Sequence, residues 1–484
     1  MNLYFKPTAC AVGCALTSMA LVGPSQAQLE PSQAQIEPSQ AQIEPSQAQI
    51  EPSQVRTSNF QFARFLEFGA TATDNPELEL DPDDSELVWT VKPSVELKFT
   101  GSRIGVTAVG EFEYFRFTRQ DDDIVDPRFF ARARGTLLDN FLFADGTIVY
   151  SKLAPDSNFL RLSQDNDTAA STKGRLFIDR SFGQFADLYV EYNNNTFFDS
   201  VRSEVSSIRN GAEVFLGRNP QYGGIFWELG GNYVHDESTD NLFENSSLYG
   251  SIGATLSKTL LTKLTVGAEN RRFVNDIDSN NPITTEDDQS SLWDANVTWS
   301  PSERTQLSAG FGHRFFGSGP SLGLRHRTEN SNILASFTRD ISRSAATLDS
   351  ISLLSDTTGT SLPSDTGTVN VENSNLAAEL DEPFVDNRFQ LSYKLAGRRS
   401  DVIVDLVYSL QEPLTGDDDI ESWLGRLIFD RKLSELTTLR LQYDYRTSDA
   451  PNRENLTYEE NRIGIKLIFN FDRIEPTRDE EFSE

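Results

Sequence analysis

Apolar and polar residues alternate with a period of two over long stretches of the chain between residues 58 and 471. In the stretch that begins at Ile104, apolar residues such as Ile104 and Val106 occupy even-numbered positions, and polar residues such as Thr107 and Glu111 occupy odd-numbered positions. The same alternation runs through 129–137, 388–395 and 438–446. Because successive side chains of a β-strand point to opposite faces, the pattern predicts two-faced strands. Their length of roughly 10 to 15 residues exceeds the 5 or 6 usual in globular proteins.

The connections between these strands alternate between short and long. Tight turns are predicted at 100–102, Asp139-Asn140, Gly183-Gln184, Leu260-Leu261 and Ser434-Glu435. Longer loops are predicted at 74–85, 120–126, 154–172, 276–289 and 415–421. This arrangement, with charges of both signs at mid-strand, is typical of outer-membrane barrels. The predicted fold class is all-β: a single transmembrane antiparallel β-barrel of about 18–20 strands, with 20 favoured because single-chain bacterial barrels use even numbers.

One stretch in the second half decides the strand count. A turn at Glu329-Asn330-Ser331 divides 322–341 into two strands, and 342–383 then lies on the outer side. That long segment is either an extracellular loop or a plug folded into the pore, since loops of this length are usually functional or disordered. Residues 58–471 are predicted to form the barrel, and 472–484 a charged C-terminal tail.

Aromatic residues recur near the strand ends, where rings favour the interface between lipid and water. The pairs are Tyr114 with Phe117, Phe141 with Phe143, Tyr189 with Tyr192, Phe315 with Phe316, and Tyr443 with Tyr445. We predict that these rings contribute to the girdles of the barrel.

The N-terminus has the order of parts of a secretory signal. Lys6 precedes an apolar stretch, and small residues stand before a predicted cleavage after Ala27, so residues 1–27 are predicted to be a signal peptide. Residues 28–57 repeat the heptapeptide Pro-Ser-Gln-Ala-Gln-Leu/Ile-Glu. Proline in every heptad removes helical hydrogen bonds, which predicts a disordered spacer. A lipidated Cys14 and a buried core helix are the alternatives for the apolar stretch.

The net charge and the positions of the cysteines argue against some classes of function. The formal net charge is −30, so nucleic-acid binding through a basic surface is not expected. Both cysteines, Cys10 and Cys14, lie inside the predicted signal, which leaves the mature chain without a disulfide or a cysteine metal site. The acidic residues concentrate in the predicted long loops, at Asp81, Asp83 and Asp84, at 121–123, at 286–288 and at 417–419.

Two short motifs match functional patterns but lack the residues or elements that those patterns require. Gly319-Pro320-Ser321-Leu322-Gly323 matches G-x-S-x-G, but a nucleophile elbow needs a helix after it, and here a hairpin turn is the simpler interpretation. Asp276-x-Asp278-x-Asn280 resembles the start of a calcium loop, but Asn281 replaces the required glycine. We therefore expect no enzymatic activity, no catalytic residues, no cofactor and no metal site, apart from weak divalent-cation binding by acidic loops.

The polar face of the strands supplies the candidate functional residues. If this face points inward, the lumen is lined by Glu111, Glu113, Arg132, Arg134, Arg388, Lys394, Asp405, Arg440, Asp444, Arg462 and Lys466. Charges of both signs order water and guide polar solutes. The alternative is that the same charges pair with one another and only stabilise the barrel wall.

The last strand carries a predicted assembly signal. Arg462, Gly464, Leu467 and Phe469 fit the polar-x-Gly-x-x-apolar-x-apolar pattern that barrel-assembly machinery reads in a closing strand, and Phe471 continues its apolar face, although a charged tail follows here. Ile463 to Phe471 alternate apolar with polar, as a membrane-facing strand requires.

The second half of the chain resembles the outer-membrane β-barrels associated with PEP-CTERM protein-sorting systems and exopolysaccharide loci. The resemblance rests on Ser308-Ala-Gly-Phe-Gly-His-Arg-Phe-Phe-Gly317, His326-Arg327, Ala335-Ser-Phe-Thr-Arg-Asp340, and Asp430-Arg-Lys-Leu-Ser434 leading into Thr437-Thr-Leu439. It implies a role at the cell surface in polysaccharide secretion or surface assembly, and it implies no catalytic residues.

The sequence thus predicts a pore-like protein of the bacterial outer membrane that serves exopolysaccharide export or surface assembly by passive passage. A general diffusion porin, a closed structural or assembly barrel and a barrel enzyme are the alternatives. The expected partners are outer-membrane lipid and lipopolysaccharide, the barrel-assembly machinery, and polysaccharide or its export proteins, with no nucleic acid.

Overall fold

A computed structural model describes residues 59–75, 85–119, 123–139, 141–152, 168–199, 204–220, 223–238, 241–275, 283–342, 384–413, 419–451 and 457–471. The strands are β1 (Asn59–Thr73), β2 (Glu86–Thr100), β3 (Ile104–Phe117), β4 (Ile124–Leu138), β5 (Leu142–Lys152), β6 (Thr168–Ser181), β7 (Asp187–Asp199), β8 (Glu204–Gly217), β9 (Gly224–Ser238), β10 (Asn241–Ser257), β11 (Leu260–Asn275), β12 (Ile283–Ser302), β13 (Thr305–Arg314), β14 (Gly317–Arg327), β15 (Ser331–Ser342), β16 (Phe384–Ala396), β17 (Ser400–Pro413), β18 (Ile420–Lys432), β19 (Thr437–Asp449) and β20 (Tyr458–Asn470). Among the described residues, no helix is long and apolar enough to cross a membrane.

The 20 strands form one closed antiparallel barrel, because each strand pairs with the next and β1 pairs with β20. The closing ladder runs from Phe65 opposite Asn470 to Thr73 opposite Arg462. Closure leaves no strand edge unpaired, which satisfies the backbone of a chain that crosses hydrocarbon. The predicted all-β barrel and the favoured strand number are both confirmed.

Both ends of the described barrel chain lie on the side of the short turns. Asn59 pairs with Thr100 beside the 101–103 turn, and the Asn470 amide donates to the Leu436 carbonyl in the 433–436 turn at 2.8 Å. The segment 343–383 joins β15 to β16 at the opposite end, and its structure lies outside the described residues. By the rule for outer-membrane barrels, the short turns are periplasmic and the other end is extracellular.

Three local sequence predictions are wrong. Leu260-Leu261 begins β11 instead of forming a turn, which falls at 258–259. Gly319 to Gly323 lies inside β14, paired with β13, because the hairpin turn falls at Phe315-Phe316. Residues 286–288 belong to β12, since that strand already begins at Ile283. The predicted turn at 329–331 is correct to within a residue, as β14 ends at Arg327 and β15 begins at Ser331.

The two faces of the strands have opposite character. Large apolar side chains stand exposed at every second position, as Ile463 (66 %) and Ile465 (50 %) do on β20, whereas Arg462, next to Ile463 in the strand, is only 5 % exposed. A side chain buried in a one-layer wall lies on its inner side. The exposed apolar belt around a closed barrel therefore meets lipid, and the protein is a bacterial outer-membrane β-barrel.

Tryptophans mark both edges of the belt. Trp89 and Trp423 lie on the outer face near the extracellular ends of β2 and β18, and Trp227 and Trp299 near the periplasmic ends of β9 and β12. The Trp423 ring lies 4.6 Å from the ring of Tyr408 on the neighbouring strand. Such rings at lipid–water interfaces fix the depth of a barrel in its membrane.

Some rings predicted for the girdles point inward instead. Phe117 is buried beside Val88, and Phe143 and Tyr189 both contact the inner Phe177 ring. Tyr114 and Phe117 are three residues apart, as are Tyr189 and Tyr192, so a strand places the members of each pair on opposite faces. Closeness in sequence to a strand end therefore does not make a residue part of a girdle.

Candidate functional site

The residues predicted to line the lumen all lie on the face opposite the exposed apolar belt. They fall on six strands: Glu111 and Glu113 on β3, Arg132 and Arg134 on β4, Arg388 and Lys394 on β16, Asp405 on β17, Arg440 and Asp444 on β19, and Arg462 and Lys466 on β20. The barrel brings nine of them into three groups of contacts, each with its own exposure to water, and leaves Arg388 and Lys394 apart on β16.

The first group is a row of alternating charges across β17 to β20. Asp405 stands opposite Arg426, Arg426 opposite Asp444, and Asp444 opposite Arg462 in the strand registers. The Arg426 Nε donates to Asp444 Oδ1 at 2.8 Å, and both side chains are buried. Each charge therefore has an opposite charge on the next strand, which offsets the cost of removing it from water.

Arg440 belongs to the same group and lies nearer the periplasmic end of β19 than Asp444 does. Its Nε and Nη2 donate to the two carboxylate oxygens of Asp430 at 2.8 and 3.0 Å, a two-point contact that fits guanidinium geometry. Arg462 donates to Glu460, and the same carboxylate accepts at 2.8 Å from the hydroxyl of Thr73, which lies across the closing ladder on β1. The network therefore ties the last strand to the first.

The second group lies on β20 and β1 to β4. Lys466 Nζ is 3.0 Å from Glu67, and Lys92 lies 4.0 Å from Glu111. Arg128, which the sequence analysis missed, lies 2.7 Å from Asp126 and 3.6 Å from Glu113. These ion pairs bind neighbouring strands together and leave the carboxylates almost without exposure to water.

The remaining predicted residues on β16 have smaller networks. Arg388 lies 3.1 Å from Asp386 on the same strand, and Asp386 also accepts from the Ser409 hydroxyl at 2.6 Å. Lys394 stands opposite Ile403 on β17 and is partly exposed. Neither residue belongs to the row that begins at Asp405.

The third group, on β4 to β7, differs because water reaches its cations. Arg132 donates to Asp145 at 2.7 Å while its side chain stays 49 % exposed, and Arg175 lies 3.2 Å from the same carboxylate with 30 % exposed. Arg175 also lies 3.5 Å from Glu191 on β7. We call Arg132, Arg134, Arg175 and the rings beside them the arginine–aromatic wall.

The rings of this wall lie in one row, in which Phe177 is buried between the partly exposed Phe143 and Tyr189. Phe143 stacks on Phe177 with centroids 5.1 Å apart, and Tyr189 lies 6.0 Å further along. The Arg175 guanidinium stands 4.9 Å and that of Arg134 5.7 Å from the Phe177 ring centre, within cation–π range. Rings flanked by exposed hydrogen-bond donors can hold the apolar face and the hydroxyls of a polar solute together.

Sequence reasoning missed most of this wall. Asp145, Arg175, Phe177 and Glu191 were not among the predicted lumen residues, although Lys173, Arg175 and Phe177 alternate with Gly174 and Leu176 in the same period of two. The alternation would have placed Arg175 on the inner face. It could not have shown that two arginines share the Asp145 carboxylate, since that contact depends on the register of three strands.

The inner face of β8 to β14 combines small polar residues and glycines with ion pairs and buried rings. Ser251 and Thr265 share a hydrogen bond of 2.9 Å, and Ser247 donates to Asn232 at 2.6 Å. The ion pairs are Lys263 with Glu228 at 2.6 Å and Arg314 with Glu269 at 3.0 Å. The inner glycines are Gly211, Gly230, Gly253, Gly267, Gly310 and Gly323, and the buried rings are Phe226, Phe243 and Phe273.

The predicted assembly residues lie at the end of the barrel chain. Leu467 and Phe469 are on the outer face, and the Phe469 ring meets that of Phe68 on β1 at 6.1 Å. Gly464 is on the inner face opposite Thr71, and the Phe471 amide donates to the Arg64 carbonyl at 3.0 Å. Their recognition by assembly machinery remains a prediction.

Several other predictions fall on segments outside the described residues. These are the signal peptide 1–27, the spacer 28–57, the 343–383 segment, the calcium-like run 276–280 and the tail 472–484. Ser321 is described: it lies within β14 opposite Gly310, and the element that follows is β15, not a helix. The geometry of a nucleophile elbow is therefore missing at this serine.

No protein-family model matches the chain, and no curated protein matches its sequence. Solved structures with a similar course of the chain include the ferric-catecholate import receptor Fiu from E. coli K12, with 8% identity, a TM-score of 0.44 and coverage of 84% of this chain and 81% of that chain. OccK2 (OpdF) from Pseudomonas aeruginosa has 10% identity, a TM-score of 0.38 and coverage of 86% and 98%. OprD from Pseudomonas aeruginosa has 9% identity, a TM-score of 0.36 and coverage of 88% and 100%. At these values the similarity does not extend to a substrate or a mechanism.

Proposed function

We propose that this barrel is a passive pore through which a polar polymer crosses the outer membrane, in the service of exopolysaccharide export or cell-surface assembly. The observation that carries the proposal is the arginine–aromatic wall, where the water-accessible Arg132 and Arg175 share the Asp145 carboxylate next to the partly exposed Phe143 and Tyr189 rings. The protein acts without catalysis, as a surface along which the polymer moves.

The chemistry of a sugar chain suits this wall. Sugar rings present apolar C–H faces that pack on aromatic rings, and their hydroxyls and carboxylates accept hydrogen bonds from guanidinium groups. Arg132 and Arg175 are held by Asp145, so they offer donors in fixed positions while water still reaches them. Weak, repeated contacts of this kind let a polymer bind and leave.

The resemblance of the 308–340 segment to barrels of exopolysaccharide loci agrees with this proposal. The inner charges of β17 to β20 are paired, which keeps that side from trapping ions. Polymer passage needs a wet lumen rather than a set of reactive groups.

The test is flux of oligosaccharides from proteoliposomes that contain the refolded protein. We expect an oligogalacturonate to leave faster than from protein-free vesicles, and the double variant Arg132→Gln with Arg175→Gln to slow it severalfold. Arg272→Gln is the matched control, because Arg272 pairs with Glu244 at 3.4 Å, is similarly exposed and lies on the outer face. Flux equal to that of protein-free vesicles contradicts the pore, and equal flux in both variants contradicts the role of the wall.

A closed structural or assembly barrel is the second candidate, and one observation favours it. The charges on β17 to β20 are buried as well as paired, with Arg440 2 % and Glu460 0 % exposed. Buried ion pairs help to specify one arrangement of the strands and offer no free charge to a passing solute. This candidate predicts that protein-loaded vesicles release neither acidic nor neutral oligosaccharides.

A further inference from the structure

The periplasmic end of β16 to β18 contains a cavity of about 550 Å³ that is lined by Gly397, Arg398, Arg399, Ser400 and Arg431. The turn that forms it is fixed by its backbone. The Gly397 amide donates to the Ser400 carbonyl at 2.8 Å, and the Lys432 amide donates to the Arg399 carbonyl at 2.8 Å. These backbone hydrogen bonds fix the turn that carries Arg398 and Arg399.

Three arginines line this cavity and no carboxylate residue does; Asp401, next to Ser400, accepts from the Gly397 amide at 3.2 Å. Arg431 donates to the Ser400 hydroxyl at 2.7 Å, and in the described part of the chain Arg398 and Arg399 form no ion pair. Arg103, in another turn at the same end, instead lies 2.7 Å from Asp139. In a chain with a net charge of −30, three adjacent cations without an acidic partner leave an anion-binding position open.

The cavity lies at the periplasmic edge of the apolar belt. Arg431 shares the outer face of β18 with Leu427 and Phe429, which are 45 % and 36 % exposed. Leu433 and Leu436 in the next turn are 53 % and 46 % exposed. A ligand there meets guanidinium groups on one side and the hydrocarbon belt on the other.

We propose that this cavity binds the phosphate of an anionic phospholipid in the periplasmic leaflet. Guanidinium forks match phosphate oxygens in geometry, and the apolar side chains above them take the start of the acyl chains. A soluble phosphate or an acidic polysaccharide would use the arginines but gain nothing from the exposed leucines. The site does not depend on whether the barrel conducts.

The test is native mass spectrometry of the refolded protein in detergent, titrated with phosphatidylglycerol or phosphatidylcholine. We expect phosphatidylglycerol to bind more tightly than phosphatidylcholine, and each single Arg→Gln change at Arg398, Arg399 or Arg431 to weaken it by roughly fivefold. The triple variant should weaken it by about a hundredfold, if the three contributions add. Arg103→Gln is the matched control and should leave the affinity unchanged.

Other occupants give distinct outcomes. Phosphatidylglycerol binding that is equal in the wild type and the triple variant overturns the proposal. Displacement of the lipid by millimolar inorganic phosphate or by an oligogalacturonate shows that the arginines alone select the ligand, and this also overturns it. The triple variant changes two turn residues and one outer-face residue of β18, and its refolding is checked by the heat-modifiable shift of the barrel on electrophoresis.

Discussion

At the scale of residues, the inner wall is stabilised by pairs that span neighbouring strands. Asp444 stands between Arg426 and Arg462 in the registers of β18 and β20, and it also accepts from the Gln442 amide at 2.7 Å. The sequence predicted that Asp444, Arg440 and Arg462 share a face, since the period of two is visible in β19 and β20. It could not predict which charge meets which, because that follows from the register between strands.

Asp444→Asn should destabilise the barrel. The substitution removes the charge between two buried arginines, and breaking a buried pair in this way costs about 3–5 kcal/mol. The measurement is the free energy of unfolding in urea for the protein refolded into lipid vesicles. Asp139→Asn, in the exposed pair with Arg103, is the control and should change the free energy of unfolding little. Equal stability of Asp444→Asn and the wild type would show that the row contributes nothing.

Gly253→Ala should also destabilise the barrel, through a close approach of the backbone. A Cβ there would lie 2.1 Å from the Phe226 ring and 2.5 Å from the Thr262 carbonyl oxygen, and the latter cannot move without the strand. Overpacking of this kind costs about 1–3 kcal/mol. Gly110→Ala is the matched control, because a Cβ at Gly110 has nothing within 4 Å. Unfolding in urea separates the two variants, and equal stability would contradict the packing of Phe226 over Gly253.

At the scale of elements, alternation predicted strands well and turns less well. The β3, β16, β19 and β20 strands have the faces that the sequence indicated, because one polar side chain in two is enough to specify a face. The turn predicted at Gly319-Pro320-Ser321 lies inside β14, where Gly319 pairs with Gly312 of β13 and the strand continues without a bend. The inner aromatic wall was missed for a related reason: Phe143, Phe177 and Tyr189 are apolar residues on a polar face, which a hydrophobic pattern assigns to the lipid.

β12 offers a direct test of the two faces. Val297 is 43 % exposed on the outer face between Trp293 and Trp299, while Thr298 beside it is on the inner face and donates to Asn296 at 3.3 Å. Val297→Arg should lower the free energy of unfolding in vesicles by about 2–4 kcal/mol, as a charge in the lipid belt does. Thr298→Arg is the control and should have a much smaller effect. The reverse order would mean that the faces are exchanged.

At the scale of the whole molecule, ion pairs occur around the inner wall of the closed 20-strand barrel, from Lys466 with Glu67 at the closing ladder to Lys263 with Glu228 on β11 and β9. The fold and its location in the outer membrane were predictable from the alternation and the even strand count. The pairing of the inner charges was not, because it depends on the register between neighbouring strands, including the closing ladder of β1 and β20. What passes through the lumen follows from the chemistry of that wall and stays a proposal.

The most direct measurement is single-channel conductance of the refolded residues 28–484 in a planar bilayer, with and without residues 342–383. The account predicts steady open steps, and a lower preference for anions after Arg132→Gln with Arg175→Gln, because these two cations are exposed on the inner wall. If the intact protein gives no steps but the protein without 342–383 conducts, the barrel is still a pore, and that segment controls its opening. No steps above the protein-free bilayer in either form would contradict the account, and the barrel would then be a structural or assembly protein.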